Sequence, residues 1–260
     1  MRIGIDISTF QSLNVATVPA FTPASISGLQ LWLDASDAST LFTDSAGTTA
    51  ATADGDPVGC WKDKSGNAKN ATQPNGTKKP LLKINAKNSK NTIRYDGVDD
   101  GMINAVGLTS GTYSGVIHVF FAASKPTSGG TYFVERQTGP CKAFFFWQTG
   151  PYIESDGSTY AKTMTSGSYS LFNSAGSVVS HITSGTSGSV ARVNRSSVTF
   201  SSNQYASVSG SSGYILAERE GGQGQRWPGD YFELLVYTKT LTNDEIQNVE
   251  NYLIDKWGIV

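Results

Sequence analysis

Apolar residues in this chain come in short alternating runs, and Gly, Ser, Asp or Pro cuts each run off before a helix could propagate. Leu29-Gln30-Leu31-Trp32-Leu33 alternates and then meets Asp34, while Thr92-Ile93-Arg94-Tyr95 runs into the turn-forming Asp96-Gly97. Val58–Trp61, Thr131–Arg136, Ala143–Trp147, Ser177–Ile182, Val190–Arg195 and Tyr214–Glu218 supply further runs of this kind. A period of two sends successive side chains to opposite faces, so such runs predict strands with one face buried. Val116–Phe121 is apolar almost throughout and predicts a strand buried on both faces. Residues 155–213 are rich in Ser and Gly yet keep the alternation, which predicts hairpins with long loops. Many short strands separated by turns predict a β-sandwich or barrel.

One segment near the C-terminus departs from this pattern. Thr242 and Glu245 form a capping box, in which the Thr hydroxyl accepts from the N3 amide and the Glu side chain reaches back to the Thr amide. Ile246, Val249, Leu253 and Trp257 then fall on one helical face, and Gly258 stands where a left-handed cap needs no Cβ. The spacing predicts a short helix that buttresses the sandwich.

The length of 260 residues suits one large domain whose core needs no disulfide or metal staple. Lys and Arg number 20 against 21 Asp and Glu, a formal net charge of −1, which excludes a basic nucleic-acid face and a polybasic membrane anchor. Cys60 and Cys141 are expected as free thiols, a single bridge between them being the alternative. Two His residues and no CxxC leave little from which to build a zinc site. No apolar run is long enough to span a bilayer as a helix. The N-terminus carries Asp6 where a secretory signal would be apolar, so the expectation is a chain made in the cytosol without a signal peptide. Residues 1–27 read as an arm and linker. Ile3, Ile5 and Ile7 alternate as a one-faced strand, and Pro19 and Pro23 space an extended segment before the domain at 28–260.

Four segments, LQLWLDASDASTLF (29–42), VGCWKDKSGNAKNATQ (58–73), TIRYDGVDDGM (92–102) and GDYFELLVYTKTLTNDEIQNVENYLIDKWGI (229–259), together resemble the LamG or concanavalin A-like lectin/glucanase family in its bacterial and phage branch. The resemblance covers most of the chain after residue 28, though the Ser/Gly-rich middle aligns poorly. It implies an all-β fold: a jelly-roll sandwich of two antiparallel sheets with a C-terminal helix packed outside. It also implies an attachment or glycan-binding module.

Catalysis in this fold needs two carboxyl groups about 5–5.5 Å apart. A Glu-x-Asp-x-x-Glu run would supply them; here Glu154-Ser155-Asp156 is followed by Thr159 where the second Glu should stand, so no hydrolase activity is expected. The Gly221-Gly222-Gln223-Gly224 stretch precedes a strand, not a helix, and reads as a rim loop rather than a phosphate cradle. Asp96, Asp99 and Asp100, with Asp63 close by, are the one group that could hold calcium. Turn hydrogen bonds are the expected role for such Asp residues. Sugar binding uses flat aromatic faces with planar polar groups at their edges. The candidates are Trp227, Arg226, Arg219, Trp147 and Tyr152, with Tyr160 and Arg136 beside them; Trp32, Trp61 and Trp257 are expected in the core. The resulting expectation is a non-catalytic accessory protein of a bacteriophage particle, as a fibre, tail or capsid decoration. Its domain would bind host-surface glycan or another virion protein. Its arm, through Ile3, Ile5 and Ile7, would dock on other virion subunits or on copies of itself, a trimer being plausible on symmetry. A free lectin or a glycan-active hydrolase is the alternative.

Overall fold

The computed structural model describes residues 20–108, 117–124, 130–136, 142–146, 152–155, 160–164, 175–183, 190–203, 213–218 and 226–260. Two antiparallel sheets pack face to face. The first holds β1 (Leu29–Asp34), β5 (Leu81–Lys87), β6 (Lys90–Asp96), β8 (Ile117–Ala123), β13 (Ser177–Thr183), β14 (Val190–Val193), β15 (Ser196–Ser197) and β18 (Pro228–Tyr237). The second holds β2 (Leu41–Phe42), β3 (Cys60–Trp61), β4 (Ala71–Thr72), β7 (Met102–Asn104), β9 (Gly130–Arg136), β10 (Lys142–Phe146), β11 (Tyr152–Ser155), β12 (Tyr160–Met164), β16 (Phe200–Asn203) and β17 (Gly213–Leu216). The expected strand at Val190–Arg195 stops at Val193. Asn194 (φ 47°) and Arg195 (φ 68°) take left-handed conformations and turn the chain back into β15, as a two-residue hairpin loop requires. β5, at one edge of the first sheet, has no strict alternation of buried and exposed residues, so periodicity in LLKINAK could not reveal it.

β18 organises the first sheet. Its neighbour on one side is β8; on the other it pairs with β6 through Pro228–Tyr231 and with β1 through Glu233–Tyr237. Between the sheets lie Leu31, Leu33, Trp61, Ile93, Tyr95, Phe121, Tyr214, Tyr231, Leu234 and Val236, all at most 1% exposed. Every residue of β8 is buried, as its almost wholly apolar run foretold. The opposite face of this sheet carries a second apolar layer, including Trp32, Phe120, Phe232, Leu235 and Tyr237, and the helix α1 (Asn243–Trp257) covers it. The capping box closes as read from the sequence. The Glu245 amide donates to Thr242 Oγ1 (3.2 Å) and the Thr242 amide to Glu245 Oε2 (2.8 Å). Gly258 ends the helix in the left-handed region, and Asn88 Nδ2 donates to the Lys256 carbonyl (2.9 Å).

The segment just before β1 joins this outer layer. Pro23 and Ile26 are buried, Phe21 meets the Tyr252 ring edge-on at 5.9 Å, and Tyr237 Oη donates to the Pro23 carbonyl (3.0 Å). The packed domain therefore includes residues that sequence reading assigned to a linker. Ile3, Ile5 and Ile7 lie outside the described residues. Cys60 is a buried free thiol, and Cys141 lies outside the described residues.

A bulge in β18 decides the chemistry under α1. Tyr231 pairs with Ala123 and Glu233 with Ala122, so Phe232 is the extra residue. Both Phe232 and Glu233 consequently face the helix. Glu233, 0% exposed, accepts from Trp32 Nε1 (2.7 Å), Trp257 Nε1 (2.8 Å), Tyr252 Oη (2.9 Å) and Lys256 Nζ (2.7 Å). Lys256 also pairs with Asp34 (2.8 Å), which Lys64 holds at the same distance, and Lys64 lies 4.5 Å above the Trp32 ring. Burial pushes the Glu233 carboxyl up, as does Asp34, while Lys256 and Trp32 pull it down. Four donors converge on its two oxygens and favour the charged form against that upward push. At Asp34 burial also pushes upward, but Lys256, Lys64 and Ser36 outweigh it and hold the group below the usual range. Residues from three of the four motif segments thus meet in one buried network.

Candidate functional site

At one end of the sandwich, the chain crosses from β6 to β7 through Asp96-Gly97-Val98-Asp99-Asp100-Gly101. Asp96 Oδ1 accepts from the amides of Val98 (2.7 Å), Asp99 (3.2 Å) and Asp100 (3.3 Å), and Asp100 Oδ2 accepts from the Asp96 amide (2.9 Å). Gly97 is left-handed (φ 74°), and a Cβ there would lie 2.6 Å from Pro228 Cβ, so the turn needs glycine twice over. Against partial burial, the three amides and the positive charge of Arg226 hold Asp96 below the ordinary carboxylate range. Asp100 behaves oppositely: burial, then the neighbouring Asp96 and Asp99 charges, push it up to about 6, against the pull of the Asp96 amide.

The three carboxylates each offer an oxygen within 4.8 Å of the others. The hydrogen bonds display the expected turn role for Asp96, and Asp100 shares it; the Asp99 carboxylate takes no part in them. Those bonds occupy Asp96 Oδ1 and Asp100 Oδ2. Asp63, the fourth acidic residue weighed with them, is committed elsewhere: it accepts from the amides of Trp32, Ser65 and Lys69.

Glu218 and Arg226 face this turn. They bridge the ends of β17 and β18 and form an ion pair at 2.8 Å with side chains 22% and 17% exposed. Glu218 Oε2 lies 3.1 Å from where a Cβ on Gly101 would stand. Ala217 is left-handed (φ 61°), and the Tyr231 hydroxyl holds its amide (3.1 Å), which aims Glu218 at the rim. Sequence reading missed Glu218, because a lone Glu after an apolar run carries no signal. Only its bridge to Arg226 reveals it.

Trp227 requires a correction. Expected on a loop with its face free, it is 1% exposed, edge-on to Phe121 (5.6 Å) and Tyr231 (5.7 Å) between the sheets. The isolated bridge from Arg226 to Glu218 and the bond from the Trp227 amide to the Ala217 carbonyl (2.9 Å) fix the chain before β18 begins, with Trp227 turned inward; it is core payload, not a sugar platform. Arg226 alone of that pair reaches the rim. Tyr152, Glu154, Tyr160 and Arg136 lie on β11, β12 and β9 of the second sheet. Arg219, Trp147, Asp156 and Thr159 lie outside the described residues. Trp32, Trp61 and Trp257 are core residues, as expected.

Asp100→Asn keeps an oxygen for the Asp96 amide. It should raise the unfolding free energy near neutral pH by about 1–2 kcal/mol and change little in acid. Its carboxyl is raised from 3.8 to about 6 on folding, so the stability it contributes is full below 3.8 and lost as pH rises through 6. Urea unfolding at several pH values checks this, and an equal gain at all pH values would reject it.

The fold is a two-sheet antiparallel β-sandwich with one sheet covered by a C-terminal helix and a polar rim at one end. No protein-family model matches the sequence, and no curated protein matches it. In shape the chain is similar to a GH54 α-L-arabinofuranosidase soaked with a cyclic sulfate inhibitor (TM-score 0.60, 12% identity, 88% of this chain and 63% of that one). It is similar also to Trypanosoma rangeli sialidase in complex with 2,3-difluorosialic acid (0.57, 13%, 92% and 35%). A third is the binding domain of Paraclostridial Mosquitocidal Protein 1 (0.56, 12%, 88% and 53%). The chain thus spans about a third of the sialidase and less than two thirds of the other two. At these identities the likeness shows the fold alone.

Proposed function

We propose that this sandwich is a non-catalytic recognition module of a bacteriophage particle, which binds a surface glycan or a second virion protein at its polar rim. The observation that carries this reading is the rim itself. Three clustered carboxylates and the Glu218–Arg226 pair stand at one end of a rigid two-sheet scaffold, an arrangement suited to hydroxyl-rich or charged ligands. The fold's occurrence in two glycan-active enzymes and a toxin binding domain supports it, as does the resemblance of the motif segments to phage-branch LamG domains. The carboxylates Asp34 and Glu233 offer no competing centre: they are at most 3% exposed and bonded on all sides.

Binding to an array of bacterial surface polysaccharides is the direct test. Arg226→Ala and Asp99→Asn should each weaken a bound glycan by about tenfold while the domain stays folded. Release of reducing sugar, abolished by Glu154→Gln, would replace this reading with a hydrolase. For the docking part, removing residues 1–19 should leave a folded sandwich that no longer joins its particle or its own copies. Removing 1–27 should also cost stability, because Pro23 and Ile26 are buried. Normal assembly of the shorter chain would end the docking proposal.

A further inference from the structure

His118 sits in the layer between the first sheet and the chain that starts α1, 1% exposed, beside Phe120. Its Nε2 accepts the Leu241 amide at 3.5 Å, and its Nδ1 is buried with no hydrogen-bond partner. The neutral imidazole thus meets one polar group, the Leu241 amide, and leaves one of its own unmet, so part of its burial is uncompensated. We propose that His118 makes α1 an acid-released cover: protonation of the imidazole undocks the start of the helix and bares the apolar layer of Phe120, Phe232, Leu235 and Tyr237.

The surroundings support the direction. A second proton on the ring removes the acceptor that holds Leu241 and places a positive charge in an apolar layer. Its register partners, Tyr237 on β18 and Ile182 on β13, bring no charge. From the helix Glu245 acts on the ring, and among the described residues its carboxylate is the charge that would favour a second proton there. That carboxylate is already taken by Lys239 (2.8 Å) and the Thr242 amide (2.8 Å). Farther along the helix, Glu250 pairs with Arg192 (3.0 Å) and accepts from Ser180 (2.6 Å). Burial holds His118 down at about 4, well under its ordinary 6.5, with Glu245 pulling weakly upward. With the helix released, His118 binds its proton more tightly, so docking is full above 6.5 and weakens as pH falls toward 4, by a factor on the order of 100. Glu250 works in the opposite sense, since burial raises its carboxyl. The test must therefore compare variants and not rest on one titration curve.

Hydrogen exchange of the whole chain, corrected for the intrinsic pH dependence, separates release of the helix from unfolding. Amides of Ile246–Trp257 should lose protection on the order of 100-fold more than those of β6 and β8 between about pH 7 and about pH 4. In His118→Gln, whose side-chain oxygen can accept from Leu241 and takes no charge, that differential should vanish. If the Gln variant does not fold, His118→Phe serves the same comparison. An unchanged differential in the variant, or no helix-specific loss in the parent chain, overturns the proposal.

Discussion

Replacing Glu233 with Ala should lower the unfolding free energy by about 3–5 kcal/mol, the range seen when one partner of a buried charge network is removed. The loss has two sources. Lys256, which is only 14% exposed, keeps Asp34 but loses its closer carboxylate. Two buried indole N–H groups, Trp32 and Trp257, lose their acceptor. Glu233→Gln retains the shape and one oxygen but removes the charge, and should cost roughly 2–3 kcal/mol. Urea unfolding of the three proteins measures both. A cost under about 1 kcal/mol for the Ala variant would mean that desolvation of the network cancels its bonds, as happens for some buried ion pairs.

Trp257→Ala should cost about 3–5 kcal/mol, here mainly through packing. The ring is 0% exposed, lies stacked on Phe232 at 5.2 Å, and closes the last turn of α1 over the outer layer. The remaining helix would be held by Ile246, Val249, Leu253 and Ile254 alone. Trp257→Phe keeps most of the stack and loses the indole bond to Glu233, so about 1–2 kcal/mol is expected. A melting temperature unmoved by the Ala variant would show a loosely held helix. If the two losses are measured together in a double variant, they should sum to less than their parts, because both residues act through one bond.

Much of this fold was legible because its signals are local. The alternation in Leu29–Leu33 and Thr92–Tyr95, the capping box at Thr242 and the left-handed glycine at 258 each depend on neighbours a few residues away, and the structure places a strand or a helix end at each, although β1 is buried on both faces from Leu31 to Asp34 where alternation predicted one. The motif tryptophans at 32, 61 and 257 fell in the core for the same reason. The candidate site was less legible. The turn role of Asp96 could be read from Asp96-Gly97, but Trp227 was assigned to a loop because glycines precede it, and the bridge at Arg226 just before β18 sets it among the core rings instead. Residues 20–27, with their prolines and small side chains, carry no periodic signal. Their burial comes from surface that α1 and β18 supply.

What the sequence determined by itself, then, was the type of each strongly periodic element and the ends of the helix, since backbone sterics, side-chain alternation and capping act over a few residues. What only the tertiary structure decided was which charges meet. A single bulge after Tyr231 turns Glu233 toward the helix and places it against Trp32 and Asp34 from β1 and Lys256 from α1. The pairing of Glu218 with Arg226, opposite the Asp96 turn, has the same kind of origin in the left-handed Ala217. Contacts between residues far apart in the chain depend on register and on local breaks in the ladder, and a one-residue break reverses the face of every side chain after it.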